Sequence, residues 1–136
     1  DECHKELKRS HLQDGDVLFS IAGALGRVAV VSSDILPANT NQALAIIRPK
    51  KDVLSKYVAL SLKTNIVLEE IQKLKVGVAQ YNISLKQIGE LEIPLPPIET
   101  QKQMVEEMEK EEEIIASNRT LIEVMEKKIS VVLSEV

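Results

Sequence analysis

Apolar and polar positions follow two different rhythms along this chain. Over the first fifty residues, apolar residues come in short β-branched runs punctuated by glycine, asparagine and proline. Leu12-Gln13-Asp14-Gly15-Asp16 predicts a turn into a strand from Val17 to Ile21. Gly23-Ala24-Leu25-Gly26 predicts a second turn, with Arg27 to Val31 as the partner strand. Ser32 to Thr40, with Pro37 and Asn39, reads as a loop. Gln42 to Arg48 predicts a third strand, stopped by Pro49. Helical signals follow. Asp52 is the expected N-cap of a helix to about Leu62. Thr64 is the expected N-cap of a second, Asn65 to about Leu74, with Ile66, Val67, Glu70 and Ile71 at helical spacing. Val76 to Ile83 reads as a loop or irregular strand, and Ser84 as the cap of one turn, Leu85 to Gly89. Leu91, Ile93 and Leu95 alternate, which predicts a strand over Glu90 to Leu95.

The rhythm changes at Ile93-Pro94-Leu95-Pro96-Pro97. Three prolines in four residues forbid a helix through that point. No Gly or Pro follows, and Ile98 to Val136 predicts one long helix. Thr100-x-x-Gln103 matches a capping box, and Pro97 is an equally good start signal. Met108, Ile115, Ile122, Ile129 and Val136 recur every seven residues. Met104, Glu111, Asn118, Met125 and Val132 fill the complementary heptad positions, so a pairing seam is expected. Asn118 within it would fix register at a cost in stability. Ile114, Leu121 and Leu133 widen the stripe. Thirty-nine residues make a helix of roughly 58 Å, longer than a small domain is wide. Most of its apolar face therefore needs another helix. The expected fold class is α+β: a mixed α/β body over residues 1–97, then one long α-helix over residues 98–136 forming a coiled coil.

Composition sharpens this division. The net charge of −4 argues against a nucleic-acid partner until it is divided. Residues 1–98 carry 12 Lys+Arg against 11 Asp+Glu, and residues 99–136 carry 5 against 10. A nearly neutral body thus precedes an acidic helix. Phe19, Tyr57 and Tyr81 are the only aromatic residues, so the core is expected to be aliphatic. A single cysteine, Cys3, allows no disulfide within the chain and points to a reducing, cytoplasmic compartment. No apolar run approaches the ~18 residues of a membrane span. The chain opens on Asp1 rather than Met, as expected of a fragment.

Catalytic equipment is missing. Neither a P-loop nor a G-x-G-x-x-G fingerprint occurs. Cys3, His4 and His11 do not have zinc-ligand spacing, so no metal and no cofactor are expected. Asp14-Gly15-Asp16 is explained as a turn. Glu90 and Glu92 lack the lysine or histidine that a hydrolytic site would need. No catalytic residue is assigned.

Several segments, taken together, resemble a known family. They are Asp14-Gly15-Asp16-Val17-Leu18-Phe19-Ser20, Gly23-x-x-Gly26-Arg27, Asn41-Gln42, Ile47-Arg48-Pro49, Gly77-x-x-Gln80-x-Asn82-Ile83-Ser84, and above all Leu91-x-Ile93-Pro94-Leu95-Pro96-Pro97-Ile98-Glu99-x-Gln101. Their order resembles the specificity subunit of type I restriction–modification enzymes, specifically the back of one target-recognition domain and the spacer helix that follows. The resemblance implies DNA recognition without catalysis. It implies double-stranded DNA as one partner, methyltransferase subunits as others, and restriction subunits through them. Each recognition domain of such a subunit reads one half of a bipartite site, and its helices pair as a ruler between the halves.

On this resemblance, DNA meets loops of the body. Arg27 and Lys86 are expected at phosphates, with Lys50, Lys51, Lys73 and Lys75 as further candidates. Asn39, Asn41, Gln42, Gln80 and Asn82 suit base edges, and Tyr81 suits stacking or packing. A body of charge +1 releases few counterions, so the isolated chain is expected to bind DNA negligibly. Helix pairing is expected through Met104, Met108, Ile115, Asn118, Ile122, Met125, Ile129, Val132 and Val136. Two other classes remain open: the recognition region of a fused restriction–methyltransferase enzyme, and a coiled-coil assembly module with no DNA role.

Overall fold

The computed structural model describes residues 10–74 and 82–136. Three strands, β1 (Val17–Ser20), β2 (Val28–Val30) and β3 (Leu44–Ile47), form an antiparallel sheet in the order β2-β1-β3. Helices α1 (Ser55–Leu62) and α2 (Asn65–Leu74) follow, then the short α3 (Leu85–Gly89) and the long α4 (Ile98–Ser134). The loop between β2 and β3 contains a 3₁₀ turn, Ser33–Ile35. Among the described residues no helix is long and apolar enough to cross a membrane.

Strand alternation decides which sheet face is buried. Val17, Phe19 and Ala45 point to one side, where period-2 geometry places them together. Val58, Ala59 and Leu62 of α1 and Val67 and Ile71 of α2 close over them. Ile21, Ile83 and Ile88 complete the core at one end. Val17 and Phe19 are 0 % exposed. The core is aliphatic around this one phenylalanine, with Tyr57 buried beside the proline seam.

Three local expectations are corrected. Glu90 to Leu95 forms no strand: Glu90 closes α3 with helical φ and ψ, and the segment has no ladder partners among the described residues. Pro94 and Pro96 have no N–H to donate. The alternation instead reflects Leu91 and Ile93 packing on the core. Asp52 does not cap α1; the N-cap is Leu54, which offers no side-chain acceptor. Thr64 does stand immediately before α2, its carbonyl accepting from Leu68 N at 3.0 Å, while its hydroxyl donates back to the Ser61 carbonyl at 2.7 Å. The capping box at Thr100 does not form, because α4 has already begun after Pro97. At Ser84 the expected cap is present and is itself a capping box: Ser84 Oγ accepts from Gln87 N and Gln87 Oε1 accepts from Ser84 N.

Candidate nucleic-acid interface

The two ends of the sheet are built differently. At the end where β1 finishes and β2 and β3 begin, three loops converge. Ser20 organises the first. Its Oγ donates to Ala24 O at 2.5 Å and accepts from Arg27 N at 2.8 Å. Gly23 and Gly26 take positive φ (69° and 81°), which a side chain would strain, so the turn is tight enough for Ser20 to bridge it. Arg27 is thereby held at the mouth of β2, with its side chain exposed. In the second loop Asn41 Oδ1 accepts from Ala43 N at 2.9 Å, an Asx turn that leads into β3. Ile21 N donates to Ala43 O, and Ile83 N donates to Ile21 O, both at 2.9 Å. Those bonds bring the third segment, with Asn82, beside the other two.

Arg27, Asn41, Gln42 and Asn82 therefore share one end of the sheet, and all four are exposed. Lys86 follows on α3, exposed and 4.0 Å from Glu90. Asn39 is not among them. It bridges to His11 and is half-buried, and its Oδ1 is buried without a hydrogen-bond partner among the described residues. Lys50 and Lys51 follow β3 at the opposite end, and Lys73 lies on α2. Gln80, Tyr81 and Lys75 lie outside the described residues.

The opposite end anchors the helices. Asp16 is 1 % exposed and takes two hydrogen bonds from Arg48, Nε at 2.7 Å and Nη2 at 2.8 Å. Gln13 N donates to Asp16 Oδ2 at 2.8 Å. Burial alone would raise the Asp16 pKa. The bonds from Arg48 and Gln13, with the Arg48 charge, outweigh it and hold the carboxyl below its ordinary value. The hydrogen bond to Asp16 in turn raises the Arg48 pKa. Ser55 Oγ donates to Gly15 O at 2.5 Å and ties α1 to the same turn. Sequence reasoning took Asp14-Gly15-Asp16 only as a turn and missed this pair. Its signal was the strand register: Val17 faces Ile47, so the next step outward sets Asp16 opposite Arg48.

The long helix touches the body only near its start. Gln101 is buried, Val105 is half-buried, and every residue from Glu106 to Val136 is exposed. Met104 and Met108 flank α1: Met104 borders a groove with Tyr57 and Leu60, and Met108 borders one with Val30 and Ala59. Lys56 pairs with Glu109 across the second groove. Beyond this, Ile115, Asn118, Ile122, Met125, Ile129, Val132 and Val136 all face solvent along a helix about 56 Å long.

Comparison with known proteins fits this architecture. No curated protein matches the chain. The crystal structure of an HsdS subunit from Thermoanaerobacter tengcongensis superposes with a TM-score of 0.72 at 20 % sequence identity, over 84 % of this chain and 30 % of that one. The chain thus spans under a third of that subunit's length, and the likeness is one of fold. A family model described as the type I restriction modification DNA specificity domain matches residues 5–127. Because that match covers nearly the whole chain, the chain belongs to the type I restriction modification DNA specificity domain family.

Proposed function

We propose that this chain is a non-catalytic DNA-reading segment of a type I restriction–modification complex. It comprises a recognition body, residues 1–97, and a pairing helix, residues 98–136. The body reads one half of a bipartite site in double-stranded DNA. The helix pairs with a second helix and docks methyltransferase subunits, through which restriction subunits join. Such a complex works on DNA in the cytoplasm.

The observation that carries this reading is the convergence of Arg27, Asn41, Gln42 and Asn82 at one sheet end, away from the end that anchors α4. Amide side chains offer a donor and an acceptor together, which suits the edge of adenine, whereas a guanidinium suits phosphate or guanine. Lys86 adds a second cation on the adjoining turn. Asn41 already uses one lone pair of Oδ1 in the Asx turn, and its two amide N–H donors are the groups best placed to serve a base. The small charge of the body leaves affinity to the assembled complex, where several subunits contribute phosphate contacts.

The deciding experiment exchanges residues 1–97 for those of a family member with another specificity, within a complete complex. The recognised half-site should change with the exchanged body while cleavage and methylation persist. An unchanged recognition sequence would overturn the reading and favour an assembly module with no DNA role. Within the parental body, Gln42→Ala should relax base preference at one position. Arg27→Ala should weaken binding to all sequences alike and lower the salt dependence.

A further inference from the structure

Gln101 is 1 % exposed, on a helix that is exposed at every residue from Glu106 onward. A primary amide has one carbonyl acceptor and two N–H donors. Gln101 engages both atoms with backbone. Its Oε1 accepts from Leu54 N at 2.9 Å, and its Nε2 donates to Asp52 O at 3.1 Å and Pro96 O at 2.9 Å. One side chain therefore ties three segments together: the approach to α1, the proline seam and the first turn of α4. Beside it the Tyr57 hydroxyl, from a buried ring, donates to Pro94 O at 2.6 Å. The seam has no ladder partners among the described residues, so these side-chain bonds hold it in place of sheet pairing. Removing them leaves Leu54 N and the carbonyls of Asp52, Pro94 and Pro96 without those partners, which is costly where water cannot replace them.

We propose that Gln101, assisted by Tyr57, is a positioning residue that sets the direction in which α4 leaves the body, and through it the DNA spacing between half-sites that the complex accepts. The spacing consequence rests on the DNA-recognition reading; the clamp itself does not. The leverage is large. Glu123 lies 25 residues beyond Ile98, roughly 37 Å along the helix. A 10° rotation at the junction would then move Glu123 by roughly 6 Å, close to two base-pair steps at ~3.4 Å each.

Two measurements test this. Nitroxide labels on Asp34→Cys and Glu123→Cys, in a chain carrying Cys3→Ser and diluted with unlabelled chain, report the body-to-helix distance without DNA. The parent should give one narrow distribution. Gln101→Met keeps the length of the side chain and removes its polar contacts; it should broaden the distribution or shift it by roughly 5 Å. Tyr57→Phe should broaden it less. Superposable distributions in folded Gln101→Met and Tyr57→Phe would overturn the proposal. If Gln101→Met does not fold, Tyr57→Phe alone decides. In a complete two-domain complex, Gln101→Met should lose the preference for the parental spacer over one lengthened by a base pair, while both half-site sequences are still required. A retained spacer preference overturns the spacing role. A parental complex with no site preference at all would instead defeat the DNA-recognition reading, and the distance measurement would still decide the clamp.

Discussion

Phe19 and Ile122 are both large apolar side chains at strongly patterned positions, yet Phe19 is 0 % exposed and Ile122 is 56 % exposed. Phe19 sits on a strand whose inward face is covered by α1 and α2. Ile122 sits on a helix that has left the body behind. The difference shows that periodicity predicts which face of an element is apolar, whereas the geometry of the chain decides whether that face finds a partner within the same molecule. The body buries an apolar core internally, around Val17, Phe19 and Ile71. The helix beyond Glu106 finds no cover for its own apolar residues among the described residues, which is the physical basis of the proposed pairing role.

The largest effect that would break this comparison is on stability. Phe19→Ala should cost about 3–5 kcal/mol, as full truncation of a buried aromatic does. Against a typical total of roughly 5–15 kcal/mol, that brings the body close to unfolding. In dilute solution Ile122→Ala should change stability by no more than about 0.5 kcal/mol, because it empties no core. Urea denaturation of both variants, repeated over a range of chain concentrations, checks the contrast. A core-sized loss from Ile122→Ala at high dilution would show that the helix is already covered within one chain. At high concentration, the double variant Ile122→Glu and Ile129→Glu should sediment as monomer where the parent associates.

A smaller effect concerns the anchoring end of the sheet. Asp16→Ala removes two charge-assisted hydrogen bonds from Arg48 and one from Gln13, and should cost about 1.5–3 kcal/mol. Arg48 is itself 49 % exposed, so water receives it when its partner is gone. The pH dependence follows from the lowered Asp16 pKa. Its contribution is complete above the unfolded carboxylate value of about 3.9 and is lost as pH falls through the lower folded value. Acid unfolding of the parent should therefore steepen below about pH 4, and Asp16→Asn should flatten that limb. An acid limb unchanged in Asp16→Asn would show that other carboxylates set it.

These differences also mark what was legible in the sequence. The three strands, the two helices after them, the single turn at Ser84 and the long helix follow from local patterning and stop signals, and they form within a few residues of expectation. What patterning could not distinguish was alternation made by a ladder from alternation made by packing. Leu91 and Ile93 show the second over the segment expected as a strand. The cap at Asp52 was misjudged because α1 begins only at Ser55, with Leu54 at its N-cap. Asp52 lies outside the helix and gives its backbone carbonyl to Gln101. The convergence of Arg27, Asn41, Gln42 and Asn82 depends on backbone bonds between distant loops, Ile21 to Ala43 and Ile83 to Ile21, which no local pattern contains. Gln101 stood in the most specific motif of the chain, and only three-dimensional contacts reveal what it holds.

The smallest expected effect is at α3, beside the loops that carry Arg27, Asn41 and Asn82. Ser84 caps this five-residue helix reciprocally with Gln87, while Ile83 and Ile88 on either side are buried. Ser84→Ala should cost about 1 kcal/mol, the usual value of an N-cap. The loss should be local, because the buried isoleucines still anchor the turn. Hydrogen exchange at Gln87 N, whose acceptor is the Ser84 hydroxyl at 3.2 Å, should then accelerate, while the amides of β1 and of α4 beyond Glu106 keep their parental rates. Acceleration that spread into α4 would show that the loop end and the helix junction open together, and the body and the long helix would then be one cooperative unit rather than two.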